Sequence, residues 1–385
     1  MRVGANVQPG QLVEVRANVE FAPLAREVVR SAYRAGARYV QVNYGDEAVR
    51  RAAVDLAPDS ALGWTPPSTV EFLEALGLEH GASVNIMGDP DPWLFEGADE
   101  TRVGKSRPVA FRQTWSRLVG EGQVNWTIVA CPTELWAKEI FGTADLERLW
   151  TAVEHAVRLD EPDPAAAWQA HVRRLDSLAA RLTELRLKGL RYRGPGTDLK
   201  VGLLPSSVWH GSSSLTSFGV THVANLPTEE VFTSPDRRQA EGVVRSTRPL
   251  VLNGIVVEEL TIRFAHGEAV EVTASRGAQV VRSQMATDPG ARRLGEVALV
   301  DRRSRVGDSG LTFYLTLLDE NATSHLAFGH GFAFAVSAAA DREAGLNVSG
   351  VHTDFMVGGE EVDVDGETED GRVIPILRQN AFCLE

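Results

Sequence analysis

The stretch DPAAAWQAHVRRLDSLAARLTELRLK, residues 163–188, divides the sequence into two textures. Asp163 can cap a helix and Pro164 suits its first position. Trp168, Val172, Leu175, Ala179, Leu182 and Leu185 then recur every three or four residues, the apolar stripe of a long amphipathic helix. Gly189 and the Gly194-Pro195-Gly196 triplet punctuate its end. A domain boundary is therefore expected near residue 195, with an N-terminal domain over 1–195 and a C-terminal one over 196–385. On the N-terminal side, strand-like runs at 11–16, 39–44, 82–87 and 124–130 are interleaved with helical spacing at 23–37 and 67–76, the latter with Ser68 as a candidate cap. A turn is expected in GDPDP, residues 88–92. Strands separated by helices predict βαβ units, so this half reads as an α/β domain with a mainly parallel sheet. Beyond 195 helical periodicity weakens. Runs such as 254–262 and 295–300 are strand-like and bounded by glycines, which predicts a β-rich α+β domain.

Composition narrows the class. The 385 residues carry 39 Lys+Arg against 52 Asp+Glu, a formal charge of −13. Nucleic acids and anionic membranes both recruit cationic surfaces, so neither is an expected partner. A content of 43% apolar and 24% charged residues is that of a globular protein with a sizeable core. Cys131 and Cys383 are the two cysteines, too few for a disulfide scaffold and in keeping with a reducing cytoplasm. The opening MRVGANVQPG has no apolar signal core, and the apolar stretch 327–340 is interrupted by His330 and too short to span a bilayer.

Several common catalytic devices are missing: there is no GxSxG elbow, no GxxxxGK[ST] loop and no HExxH. What remains is a set of histidines and carboxylates in the second half. His352 and Asp354 form an HxD pair, and on a strand both side chains leave the same face, able to grip one metal. A histidine bonded to backbone near a turn is the plainer reading of such a pair. His325 follows the polar run 319–324, which could equally be a surface turn. Glu230 could be a loop charge, and Glu296 could face water from its strand. An ionised Glu296 inside an apolar strand would otherwise need a partner or a metal. Taken as a set, three carboxylates and two imidazoles suit zinc, cobalt, manganese or magnesium. Three negative charges against two divalent cations fit a two-metal hydrolase, in which one metal polarises a carbonyl and both acidify a bridging water.

The sequence resembles the aminopeptidase T family of metal-dependent aminopeptidases over essentially its whole length. The resemblance is carried by VQPGQ at 7–11, LGWTPP at 62–67, GDP at 88–90, VNWTIV at 124–129, NLPTEEVFTSP at 225–235, LGEVALV at 294–300, SGLTFY and LLDENATSHLAFG within 309–329, and GVHTDFMVG at 350–358. It implies that Glu230, Glu296, His325, His352 and Asp354 are the metal ligands. It further implies an α/β N-terminal domain, a C-terminal catalytic domain, a homodimer whose active sites face an internal cavity, and removal of N-terminal residues from short peptides. A metal-bound hydroxide would be the nucleophile, with Glu229 and Glu320 as alternative candidates for the general base.

One departure stands out. The family usually places a tyrosine at the metal site seven residues after the His325 equivalent, and here that residue is Phe332. A phenyl ring offers no oxygen. The preferred reading is a tyrosine that assists but is dispensable; compensation by His330 is disfavoured, because a five-residue offset on a strand points it to the opposite face. Two other functions stay open. His325, His352 and Asp354 alone resemble a mononuclear Fe(II) oxygenase site for small aromatics. A degenerate peptide-binding member of the fold is the other. Retention of Glu230 and Glu296, which a single iron would not need, ranks the peptidase first.

Overall fold

LVEVRAN, the strand β1 (Leu12–Asn18), is buried almost throughout, as a strand with helices on both faces must be. It pairs in parallel with β2 (Tyr39–Gly45) on one side and β3 (Ala82–Met87) on the other, and β3 pairs in parallel with β4 (Asn125–Ala130). The short strand Asn225–Leu226 adds a parallel edge to β4. Helix Ala22–Arg34 links β1 to β2 and helix Pro67–Leu78 precedes β3, giving the expected βαβ order. Ser68 does not cap the second of these helices. Pro66 occupies the cap position and no side chain bonds there, because two consecutive prolines already pre-set the first turn.

In this computed structural model residues 1–384 are described apart from 89 and 92, so Asp89 and Pro92 of the expected GDPDP turn lie outside the described residues. The chain packs as two units, Met1–Gln169 with Ser213–Thr228, and Ala170–Ser212 with Glu229 to the C-terminus. The helix read at 163–188 is found as Pro164–Glu184, with the Ala166 N–H donating to Asp163 Oδ1 at 3.1 Å. It ends earlier than the apolar stripe. The strands Leu187–Gly194 and Thr197–Leu203 follow at once as a hairpin, and Pro195-Gly196 form its two-residue turn, with Gly196 at φ +74. Residue 195, where the sequence suggests a boundary, is thus a turn within the second unit.

That hairpin is the middle of an eight-stranded antiparallel sheet. The sheet shares a core with a second, four-stranded antiparallel sheet made of β5 (Glu230–Thr233), β6 (Leu294–Val300), β7 (His325–Gly329) and β8 (His352–Met356), in that order. Val231, Val297, Leu299, Leu326, Phe328 and Phe355 lie on the face of the small sheet that joins the core cluster of Leu175, Leu182, Tyr192, Leu199 and Ile262. The other face of the same four strands is where the chemistry collects. Among the described residues, no helix is long and apolar enough to cross a membrane.

Candidate metal centre

Register, rather than sequence spacing, assembles the site. Antiparallel partners directly opposite one another share a face. Phe232 pairs with Ala298 and Ala298 with His325; Glu296 pairs with Ala327 and Ala327 with Asp354; Gly329 pairs with His352. Glu230 lies two residues before Phe232, and Asp354 two after His352, so alternation keeps all five candidate ligands on one face. Ala298 and Ala327, both fully buried, lie in the middle of this set, where larger side chains would fill the space between the ligands.

Each ambiguity left by the sequence has a spatial answer. Glu230 is in β5 and buried, not a loop charge, and Glu296 is buried in a strand whose seven residues are all buried. The polar run before His325 is no surface turn: Asp319, Glu320, Asn321, Thr323 and Ser324 are all buried. His352 lies on a strand with its Nε2 3.0 Å from Glu296 Oε2 and 3.4 Å from Asp354 Oδ1. Its Nδ1 donates to the His330 carbonyl oxygen at 2.7 Å, which turns Nε2 toward the carboxylates. The His330 ring takes no part in that contact; its Nδ1 accepts the Ser349 N–H at 3.4 Å. His325 Nε2 is 2.9 Å from Glu230 Oε2, an oxygen that is buried and has no hydrogen bond of regular geometry among the described residues.

The electrostatics are those of crowded charge, buried at Glu230, Glu296 and His325 and open to water at His352. Burial pushes Glu296 up from the ordinary carboxylate range, the Glu230 charge adds to it, and the hydrogen bond to His352 only partly offsets them. Glu320 is raised well above that range by burial and by Asp354 and Glu230. Burial opposes charge on His325, yet the Glu230 carboxylate overrides it and lifts the imidazole to about 10. His352 is likewise raised against its burial by Asp354 and Glu296, while Asp354 is held low, against its own burial, by His352. Like charges packed together out of water are costly unless cations neutralise them.

Donor atoms of Glu230, Glu296 and His325 all lie within 4.8 Å of one another, as do those of Glu296, His352 and Asp354. Hard carboxylates with imidazoles, in two groups that share Glu296, suit divalent cations. Of the two base candidates, Glu320 faces this cluster, whereas the Glu229 carboxylate lies 3.3 Å from His171 Nε2. Asn321, unremarked in the sequence, holds that segment: its Oδ1 accepts the Glu229 N–H at 2.7 Å and its Nδ2 donates to the Leu317 carbonyl at 2.9 Å. An asparagine within the polar run 319–324 carries no spacing signal, so only the fold reveals it.

A family model described as thermophilic metalloprotease (M29) matches residues 1–382. Aminopeptidase T of Thermus aquaticus is 42% identical, covering 100% of this chain and 96% of the relative. Aminopeptidase 2 of Geobacillus stearothermophilus is 36% identical with the same coverage. The solved structure of wild-type AmpT from Thermus thermophilus superposes with a TM-score of 0.92 at 40% identity, over 100% of this chain and 96% of that one. The protein is a metal-dependent hydrolase. It belongs to the M29 family of thermophilic metalloproteases and, within it, is a metalloaminopeptidase. The motif resemblance thus extends along the whole chain.

Proposed function

We propose that Glu230, Glu296 and His325 hold one divalent metal and Glu296, His352 and Asp354 a second, and that the pair serves hydrolysis of the N-terminal peptide bond of short peptides. The observation that carries this reading is the membership of Glu296 in both donor groups. Zinc, cobalt, manganese and magnesium all suit such ligands. Two metals bound there would polarise the scissile carbonyl and acidify a water. The protein's own residues do the rest. The His330 carbonyl keeps the His352 ring oriented, and Glu320 takes the proton released by the attacking water. Phe332 contributes no oxygen, so charge developing on the carbonyl is met without a tyrosine hydroxyl. Among the described residues neither donor group contains both histidines, which disfavours a two-histidine, one-carboxylate iron site. Retention of all five donors disfavours a degenerate binding protein. A homodimer in a reducing cytoplasm completes the reading, and light scattering would give twice the chain mass.

Metal reconstitution tests the proposal. Protein stripped with a chelator and titrated with cobalt or zinc is expected to regain cleavage of aminoacyl p-nitroanilides as it takes up two metals per chain. Full activity at one metal per chain, or oxygen uptake with Fe(II) and small aromatics in place of peptide cleavage, would contradict it.

A further inference from the structure

We propose that Phe232, Phe332 and Phe334 form the subsite for the side chain of the substrate's N-terminal residue, and that this subsite selects aromatic and large aliphatic residues. The inference rests on the proposed function and adds the substrate class. Phe232 leaves the small sheet on the ligand face, two residues after Glu230. The Phe332 ring is centred 5.2 Å from the His352 ring, meets Phe232 edge-on at 5.6 Å and stacks on Phe334 at 5.3 Å with 21° between planes. An unbroken run of apolar rings therefore starts at a proposed ligand and leads outward.

The run is fixed from behind. The Phe332 N–H donates to Ser234 Oγ at 2.7 Å. His210 exchanges both backbone hydrogen bonds with Phe232, at 2.8 and 2.9 Å, while its Nε2 lies 3.2 Å from the Phe334 carbonyl oxygen and its ring meets Phe334 edge-on at 4.9 Å. Yet the front is open: Phe334 is 50% exposed, although it stacks on a half-buried ring. A pre-ordered aromatic pair with one face in water suits an apolar side chain that completes the stack. The wall's three side chains are apolar, and burial keeps the His210 ring behind them below its ordinary pKa against the pull of the Asp176 carboxylate. Chain chemistry supplies the reach. In any peptide the Cβ of the N-terminal residue is two bonds from the scissile carbonyl carbon, so a carbonyl seated beside His352 brings that side chain to Phe332. A phenyl ring at 332 carries no hydroxyl, so this surface is wholly apolar.

The test uses the full metal-loaded chain and p-nitroanilides that differ only in the aminoacyl group. Phe and Leu substrates are expected to show kcat/KM at least tenfold above Ala, Lys and Asp substrates. Phe334→Ala should lower the Phe and Leu values about tenfold, mainly through KM, and leave Ala within twofold, whereas Phe334→Leu should restore the Leu value. A flat wild-type profile, or an equal loss on every substrate, would overturn the proposal. Calorimetry with phenylalanine and alanine hydroxamates reads the subsite without turnover: a tenfold gap that Phe334→Ala abolishes upholds it, and equal binding, or no binding by either, overturns it. If no aminoacyl substrate is cleaved with zinc, cobalt, manganese or magnesium, the peptidase reading fails separately, and the hydroxamate comparison still decides the wall.

Discussion

At the scale of single residues, Glu320 is the most exacting test of the chemistry. It is buried beside four charged groups, Asp354, Glu230, His325 and Glu296, and is not needed to complete either donor group. A carboxyl placed there at the cost of desolvation should handle a proton rather than a metal. Glu320→Gln keeps the shape and removes the proton acceptor. It is expected to lower kcat by about 10²-fold or more, in the range of lost general acid–base groups, while metal content stays at two per chain and KM changes little. Steady-state kinetics with elemental analysis of the same sample check this. Unchanged kcat would make Glu320 a structural acid, and loss of one metal would make it a ligand.

At the scale of elements, the ligand strands are held by a knot of backbone at their ends. Asn347, buried, donates through Nδ2 to the carbonyls of Gly290 at 2.8 Å, Arg293 at 3.3 Å and Gly329 at 2.5 Å. The backbone carbonyl of Asn347 accepts the Gly331 N–H at 2.9 Å. Gly329, at φ +107, brings β7 so close to Val351 that an added Cβ would lie 2.1 Å from its carbonyl oxygen. Glycine there is a requirement of the close approach. Removing the Asn347 amide leaves buried carbonyls short of a donor, so Asn347→Ala should cost about 2–3 kcal/mol, the scale of a buried unsatisfied group. Urea unfolding of the metal-free protein measures it, and a change under about 0.5 kcal/mol would show the knot to be dispensable.

The same scale shows what the sequence could and could not disclose. β3 was legible to the residue at 82–87 and β2 at 39–44 to within one, because runs of six residues rich in valine and tyrosine or isoleucine and bounded by glycine are too short for a helix and suit a strand. The long helix was legible from its cap and stripe. The hairpin after it was not: glycines that close a helix and glycines that turn a hairpin look alike, and Leu185 continues the helical stripe although the helix has ended at Glu184. The five candidate ligands were legible through the family resemblance, since among 52 acidic residues and nine histidines residue type alone leaves each of them a plainer reading. Their grouping into two sets sharing Glu296 was not, because it depends on which residues of four strands lie opposite one another. Nor was the wall, because nothing in the spacing of Phe232 and Phe334 brings their rings together or marks Phe334 as exposed.

At the scale of the whole molecule, the charge of −13 acquires a partial explanation. Glu230, Glu296 and Asp354 are three carboxylates that the fold gathers on one face, and divalent cations would neutralise them. The remaining acidic surplus favours solubility. One face of the four-stranded sheet thus carries the five proposed ligands, while its opposite face joins the core.

Anomalous scattering from crystals of the zinc-loaded protein, recorded on both sides of the zinc edge, tests the central claim most directly. Two zinc peaks are expected among Glu230, Glu296, His325, His352 and Asp354, one on either side of the Glu296 carboxylate. A single peak at saturating zinc, or two peaks of which one lies away from these residues, would contradict it.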